Sequence, residues 1–484
     1  SPLRLNYVEN KLNIEIEFER DNRNNLLKGR KIKKVFSKIF YDDLIVVKQN
    51  NISFSLNPLI NVNKSVVKDD ENKYWQNTRG FEIHGTLGEK LSFYTEFFEN
   101  QAYFLPYINE NINQRFVVPG QGAWKDFGDD RIGKDYNYAS GFISFTPIQS
   151  LNFQFGSAKH FIGSGYRSLL LSDNSFSYPF LKASFTKNKF QYTVMFTEFQ
   201  TFKTRYYYYR YKKHATFLFL NYSPVPNVEI GLFEGIIWHT SDNKTYVNHF
   251  PALFFVPLPG IREIVYGFNH ENNALVGLNF RAKTYKYGDI YAQFVLDDFS
   301  QTDFNKRYAF QIGAKTYDFF ADKIKFNNLF LQLEYNYAKP YTFTHENEYS
   351  AYTNTNESLT STLGSGYKEL LGILSWDFYG FNLSAKLNKI ISSTDTLDTN
   401  FGSNLLQSNT NATFENEKNI VGQGLKADIF IKKLHFSYIV NSKTNLQIYI
   451  ELEIRKYKTD ITKDDLFFVS FGIKNKIRNF YTDY

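Results

Sequence analysis

The 484 residues include no cysteine, which excludes disulfides, thiolate nucleophiles and Cys-ligated metals together. The 56 basic and 49 acidic residues are spread without a dense cluster, so the net charge of +7 describes a mixed, solvated surface and not a nucleic-acid partner. No run of about twenty apolar residues is present, since Leu370 to Leu383 and Phe250 to Ile261 are short or interrupted, so a membrane-spanning form cannot be helical.

Residues 1–50 read as a separate N-terminal segment, periplasmic or lumenal. Leu12, Ile14, Ile16 and Phe18 alternate with polar residues as a strand does. Between Lys28 and Lys48 the spacing changes, and Val35, Ile39, Leu44 and Ile45 recur at roughly helical intervals. That stretch is either a small helix or a basic linker into the first strand at Ile52, Phe54 and Leu56. Ser1 is not followed by a charged and then apolar leader, so the numbering is expected to begin at or near a processed terminus.

From residue 51 to 484 the dominant period is two. Leu151, Phe153 and Phe155 alternate with Asn152 and Gln154, and Leu329, Leu331, Leu333, Tyr335 and Tyr337 with Gln332, Glu334 and Asn336. Leu446, Ile448, Ile450, Leu452 and Ile454 continue the pattern near the end. A single hairpin of this kind also fits a soluble β-sandwich. The connections decide otherwise, because short turns such as Pro147 to Ser150, Tyr379 to Phe381 and Asn441 to Thr444 alternate with long polar loops near Phe104 to Tyr136, Thr240 to Asn273, Pro340 to Lys368 and Ile390 to Gly422. Tight turns on one rim and long loops on the other describe an all-β, transmembrane antiparallel β-barrel of the bacterial outer membrane, with about 18 strands (roughly 16 to 20) and the tight turns periplasmic. An aromatic content of 19% suits its two interfacial girdles.

Phe155 to Lys182 reads FGSAKHFIGSGYRSLLLSDNSFSYPFLK, a strand that stops alternating where Gly163 and Gly165 permit close bends. With Pro251 to Asn279, Gly422 to Arg455 and VPGQGAWKDFG at Val118 to Gly128, it resembles the Wzi-like capsule-assembly outer-membrane family, and more closely the RemB-type gliding-motility proteins of Bacteroidetes. The resemblance implies a monomeric, non-enzymatic surface barrel acting through other outer-membrane or surface proteins in gliding or type IX secretion. Its alternative implication is a polysaccharide-binding barrel or transport pore. The chain departs from the usual terminal strand by continuing to NFYTDY.

No catalytic set, metal site or cofactor site is expected. The eight histidines are scattered. His160, Ser172 and Asp173 contain triad side-chain types without a nucleophile-elbow pattern, and KDFGDDRIGKD, Lys125 to Asp135, carries three cations among its carboxylates and lacks calcium-loop spacing. Two non-catalytic sites are expected. Gly163, Gly165, Arg167 and Asp173 form a lumenal constriction, with Arg167 facing inward toward Asp173 or Glu234 because a lipid-facing charge is costly. Tyr206, Tyr207, Tyr208, Tyr209 and Arg210 form an aromatic and basic surface patch, either a girdle whose cations reach lipopolysaccharide phosphates or a stacking surface for sugar or protein. The apolar stretches Tyr166 to Leu171 and Pro251 to Ile264 are expected to fill the lumen.

Overall fold

The computed structural model describes residues 38–204, 210–238, 252–266, 272–284, 288–297, 307–318, 328–395, 399–413, 419–475 and 480–484. The strands are β1 (Ile45–Gln49), β2 (Ile52–Val67), β3 (Tyr74–Leu87), β4 (Leu91–Tyr103), β5 (Lys125–Phe127), β6 (Gly133–Ile148), β7 (Leu151–Ala158), β8 (Tyr178–Lys187), β9 (Phe190–Phe202), β10 (Arg210–Tyr222) and β11 (Val228–Trp238). They continue as β12 (Asn273–Thr284), β13 (Gly288–Asp297), β14 (Tyr308–Tyr317), β15 (Leu329–Ala338), β16 (Thr353–Asn354), β17 (Glu357–Ser358), β18 (Tyr367–Phe378), β19 (Phe381–Thr394), β20 (Leu425–Asn441), β21 (Leu446–Lys458) and β22 (Lys463–Lys474). Two helices, α1 (Pro106–Arg115) and α2 (Ile261–Tyr266), lie in connections.

Eighteen strands pair antiparallel with their chain neighbours, and β22 returns to β2 (Asn61 opposite Lys474, Val67 opposite Phe468), closing the barrel. Closure leaves no unpaired edge, the condition for a sheet in hydrocarbon. The seam is reinforced by Asn475, whose backbone N–H donates to Ile60 O at 3.0 Å and whose side-chain oxygen accepts from Ile60 N at 2.8 Å. β1 pairs with the first residues of β2, while β5 pairs with the start of β6. Leu44 and Ile45 therefore lead into a wall strand; of the proposed helix only a turn at 38–40 falls within the described residues, and residues 28–37 lie outside them.

Alternation sorts side chains to two solvents. On β18 to β20 the outward Leu370, Leu374, Leu387 and Leu434 are 57%, 43%, 52% and 42% exposed, whereas the inward Leu371, Asn388 and Ile431 are buried. An apolar outside and a packed polar inside is the pattern of a lipid-embedded barrel. Ring pairs mark both edges of the band: Phe190 stacks on Tyr222 at 4.6 Å beside the tight turns, and Phe310 on Tyr337 at 5.2 Å toward the long loops.

The connection after β11 corrects one expectation. Phe254 packs against Phe196 and His214, its carbonyl accepts from Thr216 Oγ1 at 3.0 Å, and Pro257 O accepts from Tyr192 Oη at 2.7 Å. All four wall residues have outward parity, opposite to the lumenal Met195, Phe199, Phe217 and Phe233. Residues 253–260 thus lie on the outer wall, not in the lumen. They cover Leu218, Ile236 and Trp238, which have little exposure despite facing outward, and present Phe255 and Leu258 in their place, with Ile264 and Val265 exposed on α2 just beyond.

Candidate functional site

The lumen is filled by three segments, and their meeting point is Arg167. In the connection between β7 and β8 the chain turns inward. A Cβ at Gly163 would fall 2.6 Å from Gln293 Nε2, and one at Gly165 2.5 Å from Glu334 Oε2. Only glycine lets the backbone approach these lumenal side chains so closely. The approach is then used: Tyr166 N–H and Arg167 N–H donate to Glu334 at 2.7 and 3.3 Å, and Leu169 N–H to Gln293 Oε1 at 2.8 Å.

Arg167 is 2% exposed. Its Nε and Nη2 donate to the two oxygens of Glu369 at 2.7 and 2.8 Å, a two-pronged pairing of the kind guanidinium geometry favours. Nη1 donates to Thr362 at 3.0 Å and Nη2 to the carbonyl of Asp483 at 3.1 Å, with the Asp483 carboxylate 3.4 Å away. The carboxylate partners are therefore Glu369 and Asp483, in place of the expected Asp173 and Glu234. Asp173 accepts from Tyr481 Oη at 2.9 Å, while Glu234, outward on β11, accepts from Gly260 N–H at 3.1 Å. Sequence nearness favoured Asp173; the actual partner Glu369 lies 202 residues away, brought in by strand pairing.

Asp483 belongs to the second segment. Beyond β22 at the tight-turn rim, residues 480–484 lie inside the barrel. The Asp483 carboxylate accepts from Lys386 Nζ and Tyr166 Oη, both at 2.9 Å, and Tyr484 O accepts from Arg455 Nε and Nη2 at 3.1 and 2.9 Å. Burial works against the Asp483 charge, but Arg167 and Lys386 outweigh it and hold its pKa below the usual carboxylate range. Phe480 packs beside Phe98 and Tyr138. Nothing in the alternation of NFYTDY signals this return.

The third segment is the connection between β15 and β18, including the β16–β17 hairpin. Phe343, Tyr352 and Leu359 join Leu169, Leu170 and Leu171 in one lumenal apolar cluster, all at 0% exposure. Tyr352 Oη donates to Leu170 O at 2.7 Å, and Lys213 Nζ from the wall donates to Ala351 O at 2.7 Å. Glu357 accepts from Gly120 N–H at 2.7 Å, and burial pushes its carboxyl up to about 7 despite that bond and the nearby Lys159 and Arg115.

Two cavities among the described residues bear on the rim and the lumen. One of about 170 Å³ lies between α1, residues 480–482 and the walls β2–β4 and β20–β22, beside Trp75, Tyr107, Tyr449 and Lys433. Lys433 Nζ is held there by Glu451 and Glu453 at 2.8 and 3.1 Å. The other, about 400 Å³, is a cleft at the long-loop rim beside Asn137, Tyr178, Glu198, Gln200, Arg210 and Asn354. Of the expected surface patch, Arg210 lines this cleft; Tyr206, Tyr207, Tyr208 and Tyr209 lie outside the described residues. His160 packs edge-on to Phe180 at 4.3 Å, and Ser172 N–H bonds Leu359 O at 2.7 Å, so each is used in packing the lumen. Asp126 pairs with Lys134 at 3.5 Å within the β5–β6 hairpin, and Asp130 in its turn accepts from Tyr103 Oη at the end of β4 at 3.1 Å. Among the described residues no three His, Asp or Glu converge to hold a metal ion.

No family model matches the chain, and no curated protein matches it in sequence. Solved structures do match in fold. The chain is similar to Wzi of Escherichia coli, a carbohydrate-binding β-barrel involved in group 1 capsule assembly, at TM-score 0.55 and 12% identity over 88% of this chain and 85% of that one. OprD of Pseudomonas aeruginosa (TM-score 0.45, 11% identity, 88% and 96% covered) and OccAB2 of Acinetobacter baumannii (0.47, 10%, 88% and 97%) are also similar. The protein is an outer-membrane β-barrel of 18 strands.

Proposed function

We propose that this barrel is a non-enzymatic surface protein that works by association at its long-loop rim and does not conduct solutes. The observation that carries this reading is the filled lumen: three separate segments meet on the buried Arg167, and the constriction built on Gly163, Gly165 and Arg167 leaves apolar side chains where a pore needs water. In barrels of this class the long loops face the cell exterior, which puts the binding surface outside the cell.

Two ligand classes have support. The motifs that resemble those of RemB-type proteins favour protein partners of a gliding or type IX secretion assembly. The rim cleft, with amides, a carboxylate, a guanidinium and aromatic rings, favours polysaccharide, the ligand class of the Wzi neighbour. Planar-bilayer recording of the purified protein is expected to show no steady channels. Isolation from native membranes is expected to bring down surface proteins, or glycan retained after detergent washing. Large, stable conductance without a co-purifying partner would overturn the proposal.

A further inference from the structure

The outer face of β18 to β20 carries a cluster of cations. Lys368, Lys389, Lys426 and Lys432 all have outward parity and all are exposed. Leu370 stands opposite Lys389, and Leu387 opposite Lys432. Lys368, Lys389 and Lys432 are therefore diagonal neighbours on three consecutive strands, about 7 to 8 Å apart at the backbone. Because barrel strands tilt by roughly 35–45°, a diagonal of this kind runs along a level and not up the wall.

Elsewhere on the wall Arg79 pairs with Glu99 at 3.8 Å and Lys212 with Glu198 at 2.9 Å, while the exposed Lys456 and Lys458 of β21, opposite Phe430 and Asp428, extend the cationic cluster to the next strand. On the outer face of β18 to β20 four lysines share one carboxylate, Asp428, which pairs with Lys389. Immediately below lie the exposed Leu370, Leu374, Leu387 and Leu434. A cationic diagonal directly above an aliphatic strip fits a ligand with anionic head and acyl chains, held at the membrane surface. The long-loop side faces the outer leaflet, where phosphorylated glycolipid is the lipid with that chemistry.

We propose that the outer face of β18 to β20 is a binding site for the phosphorylated head of an outer-leaflet glycolipid of the lipid A class, with Lys368, Lys389 and Lys432 as its phosphate ligands. The inference rests on the orientation given under the proposed function and not on the identity of the rim ligand. The lysine stems follow the aliphatic strip while the ammonium groups reach the head, and the attraction falls with salt.

The test uses the full chain in detergent, checked for folding by its heat-dependent electrophoretic mobility. Native mass spectrometry with added bis-phosphorylated lipid A is compared with the same lipid stripped of phosphate, and with phosphatidylglycerol. The parent is expected to retain the bis-phosphorylated form selectively. The triple variant K368Q/K389Q/K432Q should weaken that retention by about tenfold or more, on the scale of Lys–anionic lipid attractions. The control K48Q/K90Q/K187Q, which removes the same charge at the tight-turn rim, should leave retention at the parent level. Equal retention by parent and K368Q/K389Q/K432Q would overturn the site, as would equal retention of the phosphate-free lipid or of phosphatidylglycerol. Lost retention in both triple variants would also overturn it, by showing only a response to net charge.

Discussion

Arg167 shows what a single residue contributes when its pairing is buried. Replacing it with Ala leaves Glu369 without its two-pronged partner and takes one of two cations from Asp483. Breaking a buried pair from one side costs about 3 to 5 kcal/mol because an uncompensated charge remains. Arg167→Ala should lower the temperature at which the folded band is lost on heating, and Arg167→Lys should recover only part of it, since an ammonium cannot make the forked pairing. Unchanged mobility behaviour would show that the node is dispensable. Glu357 gives the matching pH prediction. Its pKa, about 7 in the fold against the ordinary 4.5, means that the folded state binds the proton more tightly. Its stabilising contribution is therefore complete below about 4.5 and is lost as pH rises through 7. Thermal unfolding in detergent should be higher at pH 5 than at pH 7.5 by a margin that Glu357→Gln reduces. That carboxyl was not legible in the sequence, because its burial depends on a hairpin folded into the lumen from above.

The segment over β9 to β11 shows the limit of reading an apolar stretch without its register. Tyr166 to Leu171 and Pro251 to Ile264 both break alternation and both are apolar, yet the first packs inside the wall and the described part of the second, from residue 252, outside it. The distinguishing signal was in the wall: Thr216, Glu234 and Trp238 have outward parity, and a bare carboxylate there would face hydrocarbon at a cost of a few kcal/mol. The covering segment supplies the Gly260 N–H to Glu234 and the Phe254 carbonyl to Thr216, and turns its own aliphatic side chains to lipid. A nitroxide placed at Ile264→Cys, simple in a chain without native cysteine, should be relaxed by oxygen more than by a water-soluble nickel complex. The reverse ranking would mean that the segment stands in water. Removing residues 480–484 tests the other returning element. The deletion takes Asp483 and Tyr481 from the node and should produce brief, small conductance events where the parent is silent, or else a silent barrel with a lower unfolding temperature if the β7–β8 connection alone seals the lumen.

At the scale of the molecule, the strand number and the two unequal rims were legible because each follows from local rules. A period of two sets the faces, and turn length sets which strand ends meet. Of the lumen's contents the stretch Tyr166 to Leu171 was legible, but what holds it was not, because that depends on contacts between segments hundreds of residues apart, such as Arg167 with Asp483. Orientation follows from the same asymmetry of connections and has a direct test. Asn354, a natural choice on the long-loop side, is 1% exposed inside the lumen and would stay unlabelled whichever way the barrel faces. Asn72, in the exposed turn between β2 and β3 on the long-loop rim, and Ser442, in the tight turn between β20 and β21, are both exposed. With a membrane-impermeant maleimide on intact cells, Asn72→Cys should label and Ser442→Cys should not, while both label after the outer membrane is permeabilised. The opposite pattern would turn the barrel over. The lysine diagonal on β18 to β20 would then face the inner leaflet, and the rim cleft beside Arg210 would open to the periplasm.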